Sequence, residues 1–162
     1  MILHYFKKKE NTEKVIAKNT YERILQISNS ALLKNNFFKE KNYQTSFEIV
    51  SIIIIFTIKL NIMNKVNNYK HINEELINIF VSDLDESLRI KGIGDMSIGK
   101  YVKSYVKKFY FRLSKFPSDL DNADPQIFIK YLNNFDFIRE NQQNIASKIF
   151  LEIYKNISVN FK

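Results

Sequence analysis

The chain has 162 residues, enough for one domain with a sizeable core. It contains no cysteine, which excludes disulfides, thiolate catalysis and cysteine-ligated metals. Three glycines and two prolines leave few tight turns for β-hairpins, so we predict an all-α, bundle-like single domain of about six helices. The net charge of +8 favours an acidic partner, although the excess of lysine over arginine is also expected from AT-rich codon usage.

The first residues are predicted to form a flexible tail (1–11) before a single helical domain (12–162). Three consecutive lysines, Lys7 to Lys9, are followed by no apolar run, which is unlike a secretory signal. The first helix is predicted over residues 12–34, because its spaced positions fall on one face: Ile16, Thr20 or Tyr21, Ile24, Gln26 or Ile27, and Ala31. We expect the Phe37–Phe38 pair in the connector that follows to lie under the bundle.

The most apolar segment is predicted to form a second helix over residues 47–63. Thr45 and Glu48 have the spacing of a capping box directly before this run. A membrane-spanning helix needs about 20 apolar residues. The nearly continuous run here, Ile49 to Ile58, is interrupted by Ser51 and Thr57 and is only about half as long. A central buried helix is therefore favoured, with a buried strand as the alternative for the consecutive isoleucines.

A third helix is predicted over residues 73–91, with its buried stripe ending at Leu84 and Leu88. Asp85 and Arg89 lie four residues apart and are expected to form an ion pair. Asp83 lies beside the buried stripe, where a carboxylate needs a partner. We predict that this partner lies on the following basic helix, with Arg112 or a lysine as the candidate.

The three glycines of the chain lie close together: Gly92 and Gly94 fall between the predicted third and fourth helices, and Gly99 falls near the start of the fourth. Gly92 is expected to end the third helix, and Ser97 to cap a fourth helix that runs over residues 97–116 and packs antiparallel to the third. The apolar positions of the fourth helix are predicted to form one buried stripe: Ile98, Tyr101, Val102, Tyr105, Phe109, Leu113 and Phe116. Its remaining surface has no acid and is the predicted partner-binding face: Lys100, Lys103, Lys107, Lys108, Arg112 and Lys115.

Pro117 is predicted to end the basic helix, and Asp124–Pro125 to begin a short fifth helix. The fifth helix is expected to bury Phe128 and Leu132, with Phe135 following them on the same face. A last helix is predicted over residues 138–157. Its expected buried face consists of isoleucines at helical spacing: Ile138, Ile145, Ile149, Ile153 and Ile157.

Two alternatives concern the same region of the chain. The segment from Gly94 to Lys100 has the G-x-x-x-x-G-K spacing of a phosphate-binding loop, but Tyr101 occupies the position of the metal-binding serine or threonine. Tyrosines interleave with the lysines of the fourth helix, as in some single-stranded nucleic-acid binders. A small basic nucleic-acid-binding or ribosome-associated protein is therefore the alternative function.

Catalysis finds little support in the sequence. His4 and His71 are the only histidines, and neither has metal-ligand spacing or a nucleophile–base set around it. We predict a protein that is not an enzyme and that has no cofactor, no metal and no small-molecule substrate.

Residues 82–115 resemble the ubiquinol–cytochrome c chaperone family. The family pattern has two aspartates, then S-L-R, G-x-G-D and a basic helix that ends in F-Y-G-R. The chain departs from it at Phe111, where the family usually has glycine. The matching positions are Asp83, Asp85, Ser87, Leu88, Arg89, Gly92, Gly94, Asp95, Lys100, Phe109, Tyr110 and Arg112.

The resemblance implies an assembly chaperone that binds newly made cytochrome b and aids maturation of ubiquinol–cytochrome c reductase. Expected further partners are the ribosome, an anionic membrane surface and a second assembly factor. The expected location is the bacterial cytoplasm, peripheral at the inner face of the membrane, or the matrix side in a mitochondrion.

Overall fold

The computed structural model describes residues 12–118, 120 and 125–159, and within these ranges it has six helices. The predicted tail (1–11) and the cap of the fifth helix at Asp124 lie outside the described residues. The all-α prediction is confirmed. The helices are α1 (Thr12–Lys34), α2 (Tyr43–Met63), α3 (Tyr69–Ile90), α4 (Asp95–Lys115), α5 (Pro125–Leu132) and α6 (Gln143–Val159).

The apolar helix α2 forms the centre of the bundle and packs against α1, α3, α4 and α6. Every residue from Ile52 to Ile58 is buried. By length and composition α2 is the one helix of the described chain that is apolar enough to cross a membrane, but 78% of its most apolar window is buried inside the protein. The helix therefore has the environment of a core element, as predicted.

The capping-box prediction for α2 is wrong. The helix starts earlier, at Tyr43, and Asn42 is its N-cap, accepting a 3.0 Å hydrogen bond from the Thr45 backbone amide. Thr45 lies inside the first turn and donates its hydroxyl hydrogen bond to the Glu40 carbonyl oxygen. An asparagine side chain is an equally good cap one turn upstream, and it leaves Glu48 free to face the interior.

The predicted partner of Asp83 is also wrong. Asp83 accepts a 2.6 Å hydrogen bond from the hydroxyl of Tyr21 on α1, instead of pairing with the basic helix. Burial and the nearby Asp83 carboxylate raise the pKa of Tyr21 far above its usual range, so the tyrosine stays a donor. A carboxylate left unpaired at the edge of the core would be costly. The hydrogen bond from Tyr21 removes that cost and links α1 to α3.

A short backbone bridge closes the other end of the molecule. Phe38 and Ile138 form an isolated antiparallel bridge, in which the Lys39 amide donates to the Phe137 carbonyl oxygen at 2.9 Å. Phe37 and Phe38 are both buried, as predicted for this connector. Ile138 consequently belongs to the loop before α6, not to the helix.

The buried face of α6 differs from the predicted isoleucine series. Ile145 is 49% exposed, and the residues that face the core are Ala146, Phe150, Tyr154 and Ile157. The helix begins only at Gln143, after a left-handed residue at Asn141. This late start lets aromatic residues pack against Phe128 of α5 and Phe56 of α2.

Candidate functional site

The turn between α3 and α4 is built on Gly92. Gly92 has φ +90°, and its amide donates to the Arg89 carbonyl oxygen at 2.8 Å while the Ile93 amide donates to the Leu88 carbonyl oxygen at 3.2 Å. These two bonds form the Schellman motif that commonly ends a helix at glycine. The predicted role of Gly92 is confirmed, and α3 and α4 pack against each other beyond the turn.

The predicted cap of α4 at Ser97 is wrong, because the helix begins at Asp95 with Gly94 as its N-cap. Asp95 lies in the first turn, where the helix dipole favours a negative charge. Its carboxylate also pairs with Arg89, which in turn binds Asp85 at 2.7 Å. The predicted Asp85–Arg89 pair is thus confirmed, and Asp95 extends it across the turn.

The phosphate-loop alternative is contradicted by this geometry. Such a loop follows a buried strand, whereas Gly94 here follows helix α3 and residues 95–100 are already helical. Asp95, inside the segment, would also repel a phosphate.

The two glycines of this region give a matched stability prediction. Gly92→Ala should destabilise the fold by about 1–2 kcal/mol, because an alanine is strained in the left-handed region. Gly99→Ala should instead stabilise it by about 0.5–1 kcal/mol, because Gly99 lies inside α4 and an added Cβ would meet no atom within 4 Å. Urea unfolding measures both. Equal effects of the two substitutions would contradict the assigned turn geometry.

Five of the six predicted basic residues project from α4 into solvent: Lys100, Lys103, Lys107, Lys108 and Lys115. We call these five residues the lysine face. No acidic residue follows Asp95 on the helix. The structure therefore keeps a strongly positive surface along the length of α4.

Arg112, the sixth predicted basic residue, points inwards. Its side chain is only 11% exposed and forms a 2.5 Å ion pair with Glu48 of α2, itself buried. The guanidinium also lies over the Phe135 ring, 4.7 Å from its centre. Its placement in the exposed face is therefore wrong, and its role here is to pair with a buried carboxylate.

Glu48 was missed as a functional or structural partner because the sequence assigned it to a capping box. Burial raises the pKa of Glu48, while Arg112 and a hydrogen bond from Gln44 act in the opposite direction. The Tyr105 hydroxyl lies within 3.3 Å of Gln44 and completes this polar cluster under α4. A carboxylate directly before a long apolar run, at the sixth residue of α2, is the signal that could have indicated a buried ion pair.

An open groove runs between α3 and α4 beside the lysine face. Its volume is about 680 Å³, and its floor is apolar: Val81, Ile98, Val102 and Val106. Asp85 and Glu86 line its α3 side, and Lys103 lines its α4 side. Gly99 also borders the groove without any side chain to fill it.

The aromatic residues of α4 divide between core and solvent. Phe109 of the family pattern is buried, 5.2 Å from the ring centre of Phe80, whereas Tyr110 is 49% exposed. The prediction that Tyr101 is buried is wrong, since it is 48% exposed. Phe111 is also exposed, so three aromatic side chains accompany the lysines at the surface.

No group of three or more potential metal-ligating side chains occurs in the part of the chain that the structure describes. His71 lies exposed on α3, 3.5 Å from Glu74. The lysine face and the adjoining groove are the features on which a binding function can rest.

Comparisons with known proteins give three results. The chain resembles the protein in the "Crystal structure of the Cbp3 homolog from Brucella abortus", with a TM-score of 0.71 and 22% identity over 98% of this chain and 88% of that one. This likeness shows a shared fold. No curated protein matches the chain. A family model described as "Ubiquinol-cytochrome C chaperone" matches residues 35–134, which is more than half of the sequence and includes α2, α3 and α4. The protein therefore belongs to the ubiquinol–cytochrome c chaperone family.

Proposed function

We propose that this protein is a non-catalytic assembly chaperone that binds newly made cytochrome b and aids assembly of ubiquinol–cytochrome c reductase. Membership of the chaperone family supports the general role. The observation that carries the finer proposal is the apolar groove between α3 and α4, which lies inside the family-matched segment and opens beside the lysine face.

The groove and the lysine face suit two parts of one client. Apolar side chains of an unassembled membrane protein can cover the valine and isoleucine floor, since burying apolar surface drives association. Acidic loops or lipid headgroups next to that segment can meet the lysines. The ribosome and a second assembly factor are further proposed partners of this surface.

We propose that the protein works at the inner face of the membrane, as a peripheral protein. Lysines close to an anionic leaflet each contribute about 1 kcal/mol of attraction. The five residues of the lysine face all lie on one helix, so several of them can approach a membrane together.

Charge reversal tests the proposal. The variant Lys100→Glu/Lys103→Glu/Lys107→Glu should capture cytochrome b at least about tenfold less well than the wild type in crosslinking pulldowns from membranes, because it replaces attraction with repulsion. The matched control is Lys14→Glu/Lys18→Glu/Lys155→Glu, which makes the same charge change at exposed positions of α1 and α6. Equal loss in both variants would attribute the effect to net charge, against a specific lysine face.

A nucleic-acid function is the second candidate, and the exposed Tyr101 and Tyr110 favour it. Exposed aromatic rings among lysines can stack on unpaired bases. Binding dominated by phosphates weakens steeply with salt, whereas binding of an apolar client does not. If the captured protein keeps cytochrome b bound at high salt, the chaperone function is supported. If high salt releases everything that was captured and the released material is RNA, the alternative is supported.

A further inference from the structure

A small pocket lies at the other edge of α4, between its last turns and α5. Its volume is about 160 Å³, much less than that of the α3–α4 groove. Three cationic side chains line it: Lys108, Arg112 and Lys115. Its walls are aromatic and consist of Phe111, Tyr131 and Phe135. The pocket is distinct from the proposed client groove, and two of its cations, Lys108 and Lys115, also belong to the lysine face.

The cations converge because of helix spacing. Lys108, Arg112 and Lys115 follow one another at intervals of four and three residues, which places them on one side of α4. No acidic residue within the described ranges lines the pocket. Glu48 is the carboxylate bound to the Arg112 guanidinium, so among the described residues the cluster holds three positive charges against one negative charge.

Ring contacts hold the cations in position. The Lys108 ammonium lies 5.4 Å from the centre of the Tyr105 ring, and the Lys115 ammonium lies 5.8 Å from that of Phe111. Arg112 lies over Phe135. Contacts of this kind restrain a lysine without neutralising it.

The neutral donors of the pocket are already used, whereas a charged one is not. The Tyr131 hydroxyl donates to the Arg112 carbonyl oxygen at 3.3 Å, and the Asn134 amide donates to the carbonyl oxygens of Lys130 and Tyr131. By contrast, the Nε–H of Arg112 is buried and has no acceptor among the described residues. Buried donors are nearly always paired, so this arrangement lacks an acceptor.

We infer that this pocket binds a phosphate group. A phosphate monoester carries close to two negative charges at neutral pH and offers several acceptor oxygens, which matches a site with two excess cations and no neutral donor to spare. Arginine and lysine together are the side chains that recognise phosphate best. The phosphate has two possible sources of the same chemistry, free inorganic phosphate and the headgroup of a phosphatidic-acid-like lipid.

Binding of inorganic phosphate by the full chain tests the site, measured by calorimetry against chloride at equal ionic strength. The pocket variant Lys108→Gln/Lys115→Gln should bind at least about tenfold more weakly than the wild type, because it removes two charges that contact the anion. The control Lys14→Gln/Lys18→Gln removes the same charge at exposed positions of α1, outside the pocket and the lysine face, and should bind like the wild type. Circular dichroism of each variant verifies that the fold is kept.

A second arm uses flotation with phosphatidylcholine vesicles, with and without phosphatidic acid. If the pocket variant loses binding of inorganic phosphate only, while the control keeps it, free phosphate is the source. If the pocket variant loses binding to phosphatidic-acid vesicles while the control keeps it, the source is the lipid headgroup. Equal weakening of both variants, or no binding by the wild type in either arm, would overturn the assignment.

Discussion

Replacing Arg112 by alanine is expected to lower the free energy of unfolding by about 3–5 kcal/mol, because removing one member of a buried ion pair leaves an uncompensated charge. Glu48 is buried in α2, and Arg112 supplies its cation from α4. The substitution also removes the packing of the guanidinium against Phe47 and Phe135. Urea unfolding followed by circular dichroism measures the change.

A double variant separates charge from packing at this position. Glu48→Leu/Arg112→Met should retain most of the wild-type stability, since replacing a buried ion pair by apolar residues of similar volume is often neutral. If the double variant were as unstable as Arg112→Ala, the loss would come from packing and the ion pair would not be the cause.

The effect of Arg112→Ala should also depend on pH. Burial raises the pKa of Glu48 and Arg112 opposes that shift, so the variant must raise the pKa further. A carboxyl group whose pKa is raised in the folded state stabilises the fold while protonated, and this contribution is lost as pH rises from the ordinary value of 4.5 through the raised value. The stability deficit should therefore be smaller in mildly acidic buffer than at alkaline pH, and a pH-independent deficit would contradict this account.

The substitution Phe56→Ala is expected to lower the free energy of unfolding by about 3–5 kcal/mol, because it opens a cavity in a buried aromatic cluster. The Phe56 ring lies 5.8 Å from Phe116, 5.9 Å from Phe128 and 5.2 Å from Tyr154, measured between ring centres. A single side chain of α2 thus connects the end of α4 with α5 and α6. Thermal and urea unfolding measure the loss.

Met63→Ala is the matched control, since Met63 ends the same helix and is 51% exposed. Its effect should stay within about 0.5 kcal/mol, as for most surface substitutions. If Phe56→Ala were as mild as this control, α2 would not be the central core helix of the bundle.

The local rules of helix formation explain why most of the fold was predictable. The bounds of α1 and the role of Gly92 follow from apolar spacing and from the conformational freedom of glycine, both of which are visible in the sequence. Errors arose where two local signals competed. Asn42 and Thr45 are both good caps, and only the packing of Glu48 against Arg112 shows which one begins α2.

Contacts between distant helices could not be predicted in this way. Asp83 pairs with Tyr21, 62 residues away, because the order of packing brings α1 alongside α3. The sequence indicated that Asp83 needs a partner but not which helix supplies it. The lysine face was predicted from spacing, whereas the groove beside it depends on the separation of α3 and α4, which periodicity does not specify.

A photoreactive phenylalanine analogue placed at Val102 tests the central claim most directly, because this residue lies on the floor of the α3–α4 groove. The control position is Lys155, which is exposed on α6. In membranes that synthesise respiratory proteins, irradiation should crosslink newly made cytochrome b to position 102 and not to position 155. Crosslinks to cytochrome b only from position 155, or to no component of ubiquinol–cytochrome c reductase, would contradict a chaperone that binds its client in this groove.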